Sequence, residues 1–121
     1  MTYKAKNIRT FLGSKNFDES RAFYTSLGFE EIVLDPKMSL FKVSETLSFY
    51  LQDYYVKAWI HNLMVFLEVD DVEKCQEELL AKGLHDKYKH VRFTEIKTFD
   101  YGRELFMHDP CGILWHFCQF I

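Results

Sequence analysis

The sequence predicts an α+β domain made of two βαβββ modules. Three observations carry that reading. Two helix signals share one layout, from an acid or amide cap to a glycine stop. An apolar strand-like run precedes each of them. Asp71 follows Asn16 by 55 residues, and Phe66 follows Phe11 by the same 55. A repeat of this length pairs with its copy to make one core, because neither half buries enough surface alone.

Each element has a local reason. Ile8 to Leu12 and Leu63 to Leu67 are rich in apolar side chains and read as buried strands. In the first helix, Asn16 caps the free amides and Glu19 sits three residues on, as in a capping box. Ser20, Phe23, Tyr24 and Leu27 share one face, and Gly28 supplies the left-handed stop. In the second helix Asp70 or Asp71 is the cap, Val72, Cys75, Leu79 and Leu80 form the stripe, and Gly83 is the stop. Three strands follow each helix: Glu30 to Leu34, Ser39 to Val43 and Leu47 to Gln52, then Val91 to Lys97, Arg103 to Met107 and Ile113 to Phe120. The modules span about 7–52 and 63–121, with 53–62 as linker. Tyr54, Tyr55 and Trp59 make that linker aromatic, as the floor for a flat ligand or as an interface.

Composition narrows the function. The chain has 121 residues, 48% of them hydrophobic, which is globular rather than disordered. With 15 Lys+Arg against 18 Asp+Glu, no basic field exists to hold a nucleic acid. No apolar run is long enough to span a bilayer, and the N-terminal residues lack a hydrophobic signal core. Cytoplasmic location is the expectation. Cys75, Cys111 and Cys118 are odd in number and make no C-x-x-C pair, so free thiols are expected.

Ser20-Arg21-Ala22-Phe23-Tyr24-Thr25-Ser26-Leu27-Gly28-Phe29 resembles the S-x-x-F-Y-x-x-L-G-F helix end of the vicinal oxygen chelate superfamily, which includes glyoxalases, bleomycin-resistance proteins and extradiol dioxygenases. Gly102-Arg103-Glu104-Leu105-Phe106, then Asp109-Pro110-Cys111-Gly112-Ile113-Leu114-Trp115-His116-Phe117, resembles its G-R-E-x-F…D-P-x-G-x-x-W-x-F pattern. The resemblance covers nearly the whole chain and implies the glyoxalase/bleomycin-resistance fold, with open sheets that line a cavity. It also implies a homodimer, which would cover open sheet edges and apolar faces.

Metal-dependent members of the family place ligands in the first and last strand of each module. Here the first-strand positions are Arg9 and Met64, and the last-strand positions are His116 and the window Ser48-Phe49-Tyr50-Leu51. Arg cannot coordinate a cation, and a thioether is a poor ligand for Mn, Ni or Zn. No bound metal and no other cofactor is expected. The cavity is then expected to be lined by Arg9, Phe11, Met64, Phe66, Leu114 and His116, with Phe49 or Tyr50 beside them. Arg103 and Glu104 alternate faces, so only one looks inward; a ligand contact and a structural salt bridge both fit. His61, His85, His90 and His108 read as surface imidazoles.

The favoured function is metal-free binding of a small hydrophobic or aromatic molecule. The net charge of −3 favours a cationic ligand, whereas Arg9 favours an anionic one. One rival is a divalent-metal-dependent lyase, isomerase or dioxygenase of the same superfamily, with His116 as ligand or acid/base and Glu104 or Glu45 as an added donor. Another is a structural or regulatory dimer with a vestigial cavity.

Overall fold

A computed structural model describes residues 2–121. Among the described residues, nine strands and four helices follow in order. The first module holds β1 (Phe11–Leu12), α1 (Phe17–Leu27), β2 (Glu30–Asp35), β3 (Met38–Lys42) and β4 (Ser48–Gln52). The short helix α2 (Lys57–Asn62) lies in the linker. The second module holds β5 (Met64–Glu68), α3 (Val72–Ala81), α4 (Leu84–Lys87), β6 (Arg92–Phe93), β7 (Lys97–Phe99), β8 (Gly102–His108) and β9 (Leu114–Phe120).

The two sheets repeat one topology. The first runs β1-β4-β3-β2 and the second β5-β9-β8-β6, with β7 also on β8. In each, the strand before the long helix pairs in parallel with the module's last strand. The register matches as well. Phe11 lies opposite Tyr50, and Phe66 lies opposite His116. Tyr50 is therefore the first-module counterpart of His116.

The caps form as their residue types require. Asn16 Oδ1 accepts from the Glu19 amide and Asp71 Oδ1 from the Lys74 amide, both at 3.1 Å. Gly28 ends α1 in the left-handed region at φ 104°. Gly83 is also left-handed, but it joins α3 to α4 rather than ending the helical segment. Leu80, expected on the buried stripe of α3, is exposed.

Two expected strands are shorter than the sequence suggests. The run Ile8 to Leu12 is strand only at Phe11 and Leu12. Residues 2–10 are exposed there, and Thr10 keeps only a bond from the Tyr50 amide. The run Val91 to Lys97 splits into β6 and β7. At the break, Thr94 Oγ1 accepts from the Phe106 amide, and the Thr94 amide donates to the Phe106 carbonyl. A side chain has taken up a ladder bond.

The core sits between the modules and is largely aromatic. Tyr24 of α1 packs against Phe41 and Phe49 of the first sheet and Trp115 of the second, with ring centroids 5.1–5.7 Å apart. Its hydroxyl donates to Asp109 Oδ2 at 2.6 Å and accepts from Trp115 Nε1 at 3.0 Å. Asp109 Oδ1 accepts the amides of Cys111, Gly112 and Ile113 at 2.9–3.0 Å. The Asp-Pro-x-Gly turn and the Phe-Tyr helix motif are thus one buried lock. Burial raises the Tyr24 phenol well above its ordinary range, and Asp109 beside it adds to the shift.

Candidate functional site on two open sheet faces

Strand alternation puts the core residues on one face of each sheet and leaves the other face open. On the open face of the first sheet, Arg9 Nε donates to Ser48 Oγ at 2.8 Å and Nη1 donates to Tyr50 Oη at 3.2 Å. Phe11 stacks on the Tyr50 ring at 4.7 Å and 20°. Phe11 remains 50% exposed, an open apolar surface beside a fixed guanidinium.

On the open face of the second sheet, Phe66 is 51% exposed and Met64 is 62% exposed. Phe66 stacks with Phe120 at 5.7 Å, and Phe106 meets His116 edge-on at 4.9 Å. His116 Nδ1 lies 2.9 Å from Glu104 Oε1, and its Nε2 lies 3.4 Å from Met64 Sδ. Glu104 is only 2% exposed, and its other oxygen accepts from the Tyr101 hydroxyl. That bond pushes the Tyr101 phenol up to about 12. A buried carboxylate held on both oxygens fixes the imidazole ring, leaving Nε2 as the nitrogen turned to the open face.

Between the modules runs a groove of about 870 Å³. Ile8, Arg9, Leu47 and Ser48 border it from the first module, and Phe66, Glu68 and Trp115 from the second. Its size and apolar lining suit a small molecule.

The nine expected cavity residues do not form one wall. Arg9, Phe49 and Phe66 reach the inter-module groove. Phe11 lies on the open face of the first sheet; Met64, Leu114, Glu104 and His116 lie on that of the second. Phe49 lines the groove with a ring that is otherwise buried among Tyr24, Phe41 and Trp115. Tyr50, one residue on, holds the open-face position of the first sheet. Arg103 is a correction. It alternates away from Glu104 and pairs with Glu73 of α3, the structural ion pair of the two readings. Tyr101 is a site residue that sequence reasoning missed, although it begins the Tyr-Gly-Arg-Glu run. Tyr54 and Trp59 form an exposed tilted pair at 5.9 Å, away from the groove.

The four metal-ligand positions of the family carry Arg9, Tyr50, Met64 and His116. Guanidinium, phenol, thioether and one imidazole do not make the N and O set that a hard divalent ion requires. The imidazole's Nδ1 is already engaged by Glu104. Among the described residues, no three His, Cys, Asp or Glu side chains come together as a metal site. Glu45, the other added donor, is exposed and lies 3.8 Å from Lys42. These residues do not fit the metal of the chelating members.

Comparisons with known proteins agree with this architecture. A search of curated protein sequences finds no match. Among solved structures, a bleomycin-binding protein complexed with bleomycin superposes with a TM-score of 0.78 at 18% identity, covering 95% of this chain and 98% of that one. The bleomycin-binding protein of bleomycin-producing Streptomyces verticillus, complexed with copper(II)-bleomycin, gives 0.75 at 20% identity, covering 94% and 97%. TnmS3, an antibiotic binding protein from Streptomyces sp. CB03234, gives 0.76 at 17% identity, covering 98% and 99%. At these identities the likeness establishes the fold. The family model for the Glyoxalase/Bleomycin resistance protein/Dioxygenase superfamily matches residues 8–117, and the chain belongs to that superfamily.

Proposed function

We propose that this protein binds a small hydrophobic or aromatic molecule without a metal and acts by sequestration rather than by a covalent step. The observation that carries the reading is the pair of open aromatic faces, Phe11 on Tyr50 and Phe66 on Phe120, each beside one fixed polar anchor. Rings laid ready for stacking suit a flat ligand. Arg9 offers donors to an anionic or carbonyl group, and His116 Nε2 offers a single directed contact. The donor set at the family's metal positions supports the metal-free part. Three structural neighbours are named as binding bleomycin or an antibiotic, which supports the ligand class.

The working form is a homodimer in the cytoplasm. Phe11, Met64, Phe66 and Phe120 stay exposed in the single chain. The chain exposes 8034 Å², whereas a monomer of this mass exposes about 6,900 Å². A second copy laid over the open faces would enclose them as a cavity. The three thiols are unpaired, which suits a reducing compartment. No helix among the described residues is long and apolar enough to cross a membrane. One observation favours a second reading, catalysis. The Tyr101–Glu104–His116 chain is also how a general base is oriented.

The test is a titration of chelator-treated protein with the aromatic anion 1-anilinonaphthalene-8-sulfonate, followed by displacement with metal-free bleomycin. Saturable binding weakened by Phe66→Ala and by Arg9→Ala supports the reading. Binding that appears only when a divalent metal is added overturns it.

A further inference from the structure

Outside the two open faces, the fold gathers basic side chains that the sequence scatters. Lys15 comes from the loop before α1, and Lys57 and His61 come from α2. His90 and Arg92 come from the approach to β6 and its first residue. Together they border a groove of about 490 Å³, with Tyr55 and the Pro110–Gly112 turn as the rest of its lining. All five basic side chains are exposed, and no acidic residue lines the groove. Among the described residues, none of Lys15, Lys57 and Arg92 has a carboxylate within ion-pair distance. The chain as a whole has more acids than bases, so this local excess runs against its composition.

The lining adds a second kind of contact. Tyr55 is half-buried, and Lys15 Nζ lies 5.7 Å from its ring centroid. The Cys111 thiol is pushed up to about 12 by burial and by Asp109, so it stays neutral. Asp109 lies behind this floor, fully buried, with its oxygens taken by the Tyr24 hydroxyl, three amides of the turn and the Cys111 thiol. His108, which neighbours the groove, has its pKa lowered by burial and then by Arg92, with Asp109 opposing. Gathered like charges repel unless an anion spans them.

We propose that this groove is a binding site for a phosphorylated small molecule, with Lys15, Lys57 and Arg92 on the phosphates and Tyr55 available to a ring. It is separate from the aromatic faces and does not depend on what they bind. Arg92 supplies the planar fork that suits a phosphate, and the lysines supply mobile point charges.

Isothermal titration of the full chain with inorganic pyrophosphate and with ADP tests the proposal. One saturable site per protomer is expected, weakened about tenfold by either Arg92→Ala or Lys57→Ala. These side chains are exposed, so both variants keep the fold; matching melting curves confirm it. Lys74→Ala, on α3, leaves the affinity unchanged. Phe66→Ala also leaves it unchanged, which keeps this result independent of the aromatic-ligand reading. ADP binding more tightly than pyrophosphate assigns the ring to Tyr55, and equal binding assigns the site to the phosphates alone. No saturation at millimolar pyrophosphate, or an equal loss in Lys74→Ala, overturns the proposal.

Discussion

Replacing Tyr24 by Phe removes one oxygen atom from the centre of the molecule. Two bonds go with it, the 2.6 Å donation to Asp109 and the 3.0 Å acceptance from Trp115. The site is fully buried, so neither partner regains solvent. Loss of a bond to a charged acceptor costs about 1.5–3 kcal/mol, and an orphaned buried donor costs about 1–3 kcal/mol more. The sum is about 2.5–6 kcal/mol, with no change of shape to blur the reading. For a domain of this size that lowers Tm by roughly 10–25 °C. Urea unfolding followed by circular dichroism measures it, at one fixed protomer concentration because the stability of the proposed dimer depends on concentration. Asp109→Asn lowers stability through the same lock, and the Tyr24→Phe/Asp109→Asn double variant loses less than the two singles combined. A loss below about 1 kcal/mol for Tyr24→Phe, or additive singles, refutes the coupling of the two motifs.

Other expectations follow from the same structure. A Cβ on Gly102 would stand 2.3 Å from the Gln119 carbonyl oxygen, so Gly102→Ala loses about 2–3 kcal/mol in the same unfolding assay. Asn16→Ala removes the cap of α1 and costs about 1 kcal/mol, read by chemical denaturation. The folded protein holds His108 below its ordinary value through burial and Arg92, so its contribution is present above pH 6.5 and is lost as pH falls through the folded value. Glu31 is also lowered, because bonds from Arg21 and Ser39 outweigh its burial; its contribution is lost in the same direction at lower pH. Melting temperature against pH therefore falls on the acid side, and His108→Gln flattens the first part of that fall. Sedimentation velocity on dilute protein finds a dimer, and Phe11→Glu with Phe66→Glu yields monomers.

The architecture was readable because its signals are local. The Asn16 and Asp71 caps, the glycine after α1 and the paired strand runs each depend on a few neighbouring residues. Tyr24 and Asp109 were both visible in motifs, but their contact joins positions 85 residues apart and appears only when the modules pack. The alternation of Arg103 and Glu104 was legible from strand period; which of them faces α3 is set by the register of β8 on β9, which puts Arg103 beside Glu73. In β4, parity decided between Phe49 and Tyr50, and the parallel register with β1 fixes it. Tyr101 sits at the turn before β8, where alternation gives no guidance, so its bond to Glu104 was not foreseen. The α2 helix escaped notice because six residues with no side-chain cap leave no sequence signal. The basic groove draws on four separate segments, and no spacing rule brings Lys15, Lys57 and Arg92 together.

The most direct test of metal-free binding is the metal content of untagged protein, purified without chelator, dialysed, and measured by mass spectrometry. The account predicts Mn, Fe, Ni and Zn far below one per protomer, and the same trace level in His116→Ala. Near-stoichiometric metal that disappears in His116→Ala would contradict it and make the Glu104–His116 pair the start of a metal centre.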